Sequence, residues 1–110
     1  MSEDQGTAAD VEVIAPTIEQ THPAGPGGIQ RLYYFENGFG ASVIQSRYSY
    51  GGPSGLWELA VLRRQADASR KREWQLTYDT PITDDVIGHL NEDEAQGLLR
   101  RIRALPAVTE

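Results

Sequence analysis

The sequence predicts an α+β fold: a four-stranded antiparallel β-meander with one C-terminal α-helix packed on one face, preceded by a disordered acidic tail. Three observations predict it. Between residues 29 and 80, stretches rich in aromatic and β-branched residues alternate apolar with polar side chains. Turn-forming runs, Asn37-Gly38 and "GGPSG", separate those stretches. Only one later segment has helical spacing together with both of its stop signals.

Residues 1–28, "MSEDQGTAADVEVIAPTIEQTHPAGPGG", carry five acids and no Lys or Arg. They hold too little large apolar surface to offset chain entropy, so the segment reads as a flexible tail. Its "VEVIAPTI" patch is the one part suited to a sheet edge or a docking motif. Residues 29–110 then form a single domain. "IQRLYYFE" is the first strand, and Asn37-Gly38 fits a two-residue type I′ turn, which places Phe35 opposite Gly40, Tyr34 opposite Ala41 and Leu32 opposite Val43. "ASVIQSRYSY" returns as the second strand. "LWELAVLRR" alternates, with Trp57, Leu59 and Val61 on one face, and "WQLTYDT" places Trp74, Leu76 and Tyr78 together. The polar "QADASRKRE" between them reads as an exposed loop.

"TDDVIGHL" reads as a single helical turn with Thr83 as its cap. "NEDEAQGLLRRIRALP" is the helix. Asn91 is its N-cap, Glu94 completes a capping box, acids fill the first turn, arginines the last, and Pro106 stands beyond the end. Ala95, Leu98, Leu99, Ile102 and Leu105 make its apolar stripe. One helix covers one sheet face, whereas both sides of the first hairpin are apolar. Something else must cover the second side.

The 110 residues have a net charge of −6, and no cysteine is present, which removes disulfides and thiolate metal sites. Outside the tail, eleven acids face ten bases, so the acidity belongs mostly to residues 1–28. No basic segment followed by an apolar run opens the chain, and no run of eighteen apolar residues occurs. The expectation is a cytoplasmic protein without membrane contact.

Candidate sites are few. "GFGASV" resembles a glycine-rich phosphate loop, but no lysine follows on the next strand and no helix follows the glycines, so it reads as a hairpin. Asp79, Asp84 and Asp85 are the carboxylates available to a divalent metal or to acid–base work, and they make a metal-dependent enzyme the alternative reading. Their spacing matches no ion-binding loop, and strand-end and first-turn roles account for them. His89 reads as a packing or surface residue. No histidine is placed to activate a serine, so no catalytic residue and no cofactor is assigned. The basic loop Arg70, Lys71, Arg72 is too short a footprint for nucleic acid in an acidic chain. "SRYSYGGPSG" has the Tyr, Ser, Gly and Arg content of recognition surfaces. The expected binding residues are Tyr33, Phe35, Arg47, Tyr48 and Tyr50.

"RLYYFENGFGASVI", "SYGGPSGLWELAVL" and "YDTPITDDVIGHL" resemble small proteins encoded by tailed bacteriophages and prophages, including those of actinobacteria, over residues 31 to 105. The resemblance implies a phage origin and a place in the host cytoplasm, and it implies no activity. The functional expectation is therefore a non-enzymatic phage accessory protein that binds a host protein or a second copy of itself.

Overall fold

Six strands form one antiparallel sheet: β1 (Ile18–Thr21), β2 (Ile29–Tyr34), β3 (Phe39–Gln45), β4 (Trp57–Arg64), β5 (Trp74–Leu76) and β6 (Ile87–Leu90), followed by α1 (Glu92–Arg103). The computed structural model describes residues 13–22, 27–65, 74–83 and 85–107. Neighbours run β1-β2-β3-β4-β5, and β6 also pairs with β4. β5 takes the C-terminal half of β4, with Leu62 opposite Leu76 and Arg64 opposite Trp74. β6 takes the N-terminal half, with Trp57 opposite Leu90 and Leu59 opposite Ile87. The fifth row of the sheet is thus built from two pieces: the chain leaves the ladder after Thr77, whose N–H donates to the Val61 carbonyl at 2.9 Å, and rejoins it at Ile87. The α+β class holds, with six strands in place of four.

Three local expectations are corrected. The segment expected to be a disordered tail contributes β1, which pairs with β2 from Ile18 opposite Leu32 to Thr21 opposite Ile29. Ile14 is buried as well, and its backbone is held at both ends by one side chain: Ile14 N–H donates to Gln96 Oε1 at 2.8 Å and Gln96 Nε2 donates to the Ile14 carbonyl at 3.1 Å. A helical glutamine here stands in for a neighbouring strand, satisfying backbone groups that would otherwise lack partners.

The expected helical turn in "TDDVIGHL" is a strand over Ile87–Leu90. A lone turn gains little from its hydrogen bonds. The free edge of β4 beside Trp57 and Leu59 offers more, and Val86 and Ile87 are β-branched.

The expected two-residue turn is a three-residue one. Phe35 N–H donates to the Phe39 carbonyl at 2.9 Å, so Glu36, Asn37 and Gly38 form the loop. Only Gly38 has positive φ, at 90°, where a type I′ turn would need Asn37 there too. The loop change slips the register by one. Tyr33 now faces Ala41 and Tyr34 faces Gly40, which exchanges the faces assigned to these side chains. Gly40 leaves no room for a methyl group, because a Cβ there would collide with the Tyr33 carbonyl oxygen.

With this register, Tyr33, Ala41, Val43, Trp57, Leu59 and Val61 share the face beneath α1 and are buried. The helix begins as its sequence dictates. Asn91 Oδ1 accepts from Glu94 N–H at 2.8 Å, and Glu94 Oε1 accepts from Asn91 N–H at 2.9 Å. This reciprocal cap is worth about 0.5–2 kcal/mol. Ala95, Leu99 and Ile102 enter the core, with Leu98 and Leu105 packed at its margin. Each fully buried Leu or Ile contributes about 1.5–3 kcal/mol. Asn37 locks the far end: its Nδ2 donates to the carbonyls of Ile102, Arg103 and Leu105 at 3.0, 3.1 and 3.0 Å, and its Oδ1 accepts from Phe39 N–H at 3.0 Å. The hairpin tip therefore caps the helix C-terminus.

Candidate interaction surface

The sheet face away from α1 is set by alternation. Ile18, Leu32, Ser42 and Ala60 form one cross-strand row, and Tyr34, Gly40, Leu62 and Leu76 form the next. Gly40 and Ser42 on β3 and Ala60 on β4 are small, with Leu32, Tyr34, Leu62 and Leu76 around them, so the face is low at these three positions. Tyr34 and Trp74 lean toward each other over Gly40, their rings stacked with centroids 4.5 Å apart. This stack closes the end of the face nearest the hairpin tip. Among the described residues no element lies over the remainder. Ile18, Leu76 and, by alternation, Tyr78 stand there 41%, 51% and 49% exposed.

The loop from Ser46 to Leu56 adjoins this face at the opposite end from the hairpin tip. It is held by its own polar groups. Ser49 Oγ accepts from Ser46 N–H at 2.9 Å and donates to the Ser46 carbonyl at 3.0 Å, and Ser46 Oγ accepts from Tyr48 N–H at 3.1 Å. Both serines are buried. Glu58, on the open face, accepts from Tyr50 N–H at 2.9 Å. A 3₁₀ turn over Gly52–Ser54 follows.

The loop also grips β6. Tyr50 carbonyl accepts from His89 N–H at 3.1 Å, and Gly88 passes so close to Tyr50 that a Cβ on Gly88 would strike the Tyr50 Cβ. His89 takes φ 58°, the only positive value among described residues other than glycine. One extra residue in β6 makes a bulge there. The backbone strain, of the order of 1–2 kcal/mol for a left-handed residue, is imposed where the loop docks.

The expected binding residues do not converge. Tyr33 is 2% exposed beneath the helix and presents no surface. Phe35 is packed against the core near the hairpin tip. Arg47, Tyr48 and Tyr50 are exposed together on the serine-braced loop, at the other end of β3. Tyr48 is 72% and Tyr50 62% exposed. Ile18, Tyr34 and Leu76, absent from the expected binding residues, line the open face. The alternation of Trp74, Leu76 and Tyr78 was their signal, and the slipped register concealed its meaning.

Arg31 ties the structure together below α1. Its guanidinium carbon sits 4.2 Å from the centre of the Trp57 ring, Nη1 lies 3.2 Å from Glu92 Oε1, and Nε lies 4.0 Å from Glu19. Burial pushes the Tyr33 hydroxyl pKa above its usual value, opposed by the adjacent Arg31 charge. These contacts join β1, β2, β4 and the first turn of α1, where Glu92 also suits the helix dipole. They serve cohesion.

The alternative site has a turn geometry. Asp79 N–H donates to Thr77 Oγ1 at 3.3 Å and Asp85 N–H donates to Thr83 Oγ1 at 3.0 Å. Asp84 lies outside the described residues, as does the basic loop Arg70, Lys71, Arg72. Among the described residues no three His, Cys, Asp or Glu side chains gather into a metal-binding group. No described helix is long and apolar enough to cross a membrane. No protein-family model matches the chain, and no curated protein or solved structure matches it.

Proposed function

We propose that the chain is a non-enzymatic binding module that engages a protein partner through the sheet face opposite α1 and the adjoining Tyr48–Tyr50 loop. One observation carries the reading. Among the described residues α1 is the one α-helix and it lies on one face, while Ile18, Leu76 and Tyr78 are between 41% and 51% exposed on the other. Leu76 continues the apolar side chains of the Tyr34–Trp74 stack on that face, and an exposed apolar patch marks an interaction site. The loop adds two exposed tyrosines on a braced backbone, which limits the entropy lost on binding. The quoted sequence blocks support a role as an accessory protein of a tailed phage, with a partner in the host cytoplasm.

The test is capture from host lysate by immobilised protein, followed by direct titration of whatever is retained. Leu76→Ser with Tyr78→Ser is expected to weaken the purified interaction at least tenfold, and Tyr48→Ser with Tyr50→Ser to weaken it further. Each variant should keep the parent melting temperature within a few degrees, since these side chains are about half or more exposed. A protein that retains nothing, or binds equally well with all four residues replaced, defeats the proposal.

A further inference from the structure

The edge of the sheet supports a separate inference from its face. Among the described residues β1 pairs with β2 on one side and with no strand on the other. His22 N–H donates to the Gly28 carbonyl at 3.0 Å, so by antiparallel alternation Ile18 and Gln20 also turn their backbone groups toward β2. Glu19 and Thr21 turn theirs outward. All four β1 residues are exposed. The other edge is less regular: β5 has three residues, and β6 carries the bulge at His89.

We propose that β1 pairs antiparallel with β1 of a second copy, with Gln20 opposite Gln20 across a two-fold axis. The outward groups select that register. Antiparallel pairing puts residues of the same face opposite each other. Centring the axis on Glu19 or Thr21 leaves one outward-facing residue opposite itself, and at Glu19 this opposes two carboxylates. Centring it on Gln20 places each Glu19 opposite Thr21 of the second copy. All the outward N–H and carbonyl groups of Glu19 and Thr21 then find partners.

A side-chain ladder points to the same register. Gln20 Nε2 donates to Gln30 Oε1 at 2.8 Å, and Gln30 Nε2 donates to Ser42 Oγ at 3.2 Å. The ladder crosses the sheet in one direction. It leaves at the edge the Gln20 carbonyl and one amide hydrogen, which are self-complementary for a two-fold related glutamine. Stacked amides of this kind stabilise adjoining strands. The second copy extends the sheet, with its His22 opposite Ile18 in this register. Because the edge is four residues long, the pair is weak and concentration-dependent.

Sedimentation over a concentration series up to about 1 mM reads the association directly. The parent chain is expected to approach twice the monomer mass. Thr21→Pro removes an outward donor without touching the β1–β2 bonds, and it is expected to remain monomeric. A second measurement covers a folding failure in that variant. The chain has no cysteine, so Gln20→Cys supplies the sole thiol, and opposed residues of a non-hydrogen-bonded antiparallel pair are about 4.5 Å apart at Cα. It should oxidise to a dimer at least tenfold faster than Ile18→Cys. A parent chain monomeric throughout, a Thr21→Pro variant that still dimerises, or equal cross-linking of the two cysteine variants overturns the proposal. These results are read independently of the Leu76 and Tyr78 substitutions, which lie on the far side of the sheet from β1.

Discussion

Replacing Asn37 separates two roles that one side chain combines. In the structure its amide holds three carbonyls at the end of α1, and its oxygen holds the hairpin turn. Two amide hydrogens serve three acceptors, so the side chain makes about three bonds' worth of interaction at most. At about 0.5–1.5 kcal/mol net for each bond, and with water able to replace part of the loss at this half-buried site, Asn37→Ala should cost about 2 kcal/mol. For a domain of this size that is a fall in melting temperature of about 8–16 °C. Urea titration followed by circular dichroism measures it. Asn37→Asp is the decisive comparison. Aspartate suits the turn nearly as well as asparagine, but it lacks donors and sets a negative charge against the negative end of the helix. If the helix lock matters, the aspartate variant is no more stable than the alanine one. An aspartate variant as stable as the parent chain would refute the reasoning.

Two further outcomes follow from the structure. His89→Val should destabilise by about 1–2 kcal/mol, because a β-branched residue resists positive φ, whereas His89→Gly should be neutral or stabilising; equal denaturation midpoints for the two would contradict the strain. Tyr33 has its hydroxyl pKa raised in the fold, mainly by burial, so the stability it lends is complete below the unfolded value near 10 and is lost as pH rises through the folded one. Urea midpoints should hold up to about pH 10 and then fall, and Tyr33→Phe should flatten that fall.

Much of this architecture was legible in the sequence, for reasons that are local. The helix announces itself through Asn91, Glu94 and a stripe of five apolar residues, and the structure reproduces both the cap and the buried face. β4 was equally plain from its alternation. What escaped were the decisions made between distant segments. Asn37-Gly38 permits either loop length, and the contact of Asn37 with the end of α1 accompanies the longer one, so one register step depended on a residue 65 positions away. β1 has weak strand character of its own and is held by β2, with Gln96 fixing Ile14 ahead of it. β6 was hidden because only the vacant half of the β4 edge makes it a strand. The expected binding residues changed in turn: the slip sent Tyr33 inward, and the open face passed to Ile18, Tyr34 and Leu76.

The divided fifth row has a consequence for how this chain tolerates change. Each half is fastened to β4 by its own ladder, so residues 78–86 are bracketed by two independent anchorages. Adding length there, with Ile82 kept on the core it packs against, asks mainly for chain-closure entropy, about 0.6 kcal/mol for each doubling, and leaves both ladders in place. A foreign peptide grafted between Tyr78 and Val86 would be displayed from the middle of a sheet edge without unseating the strand on which the whole core is built.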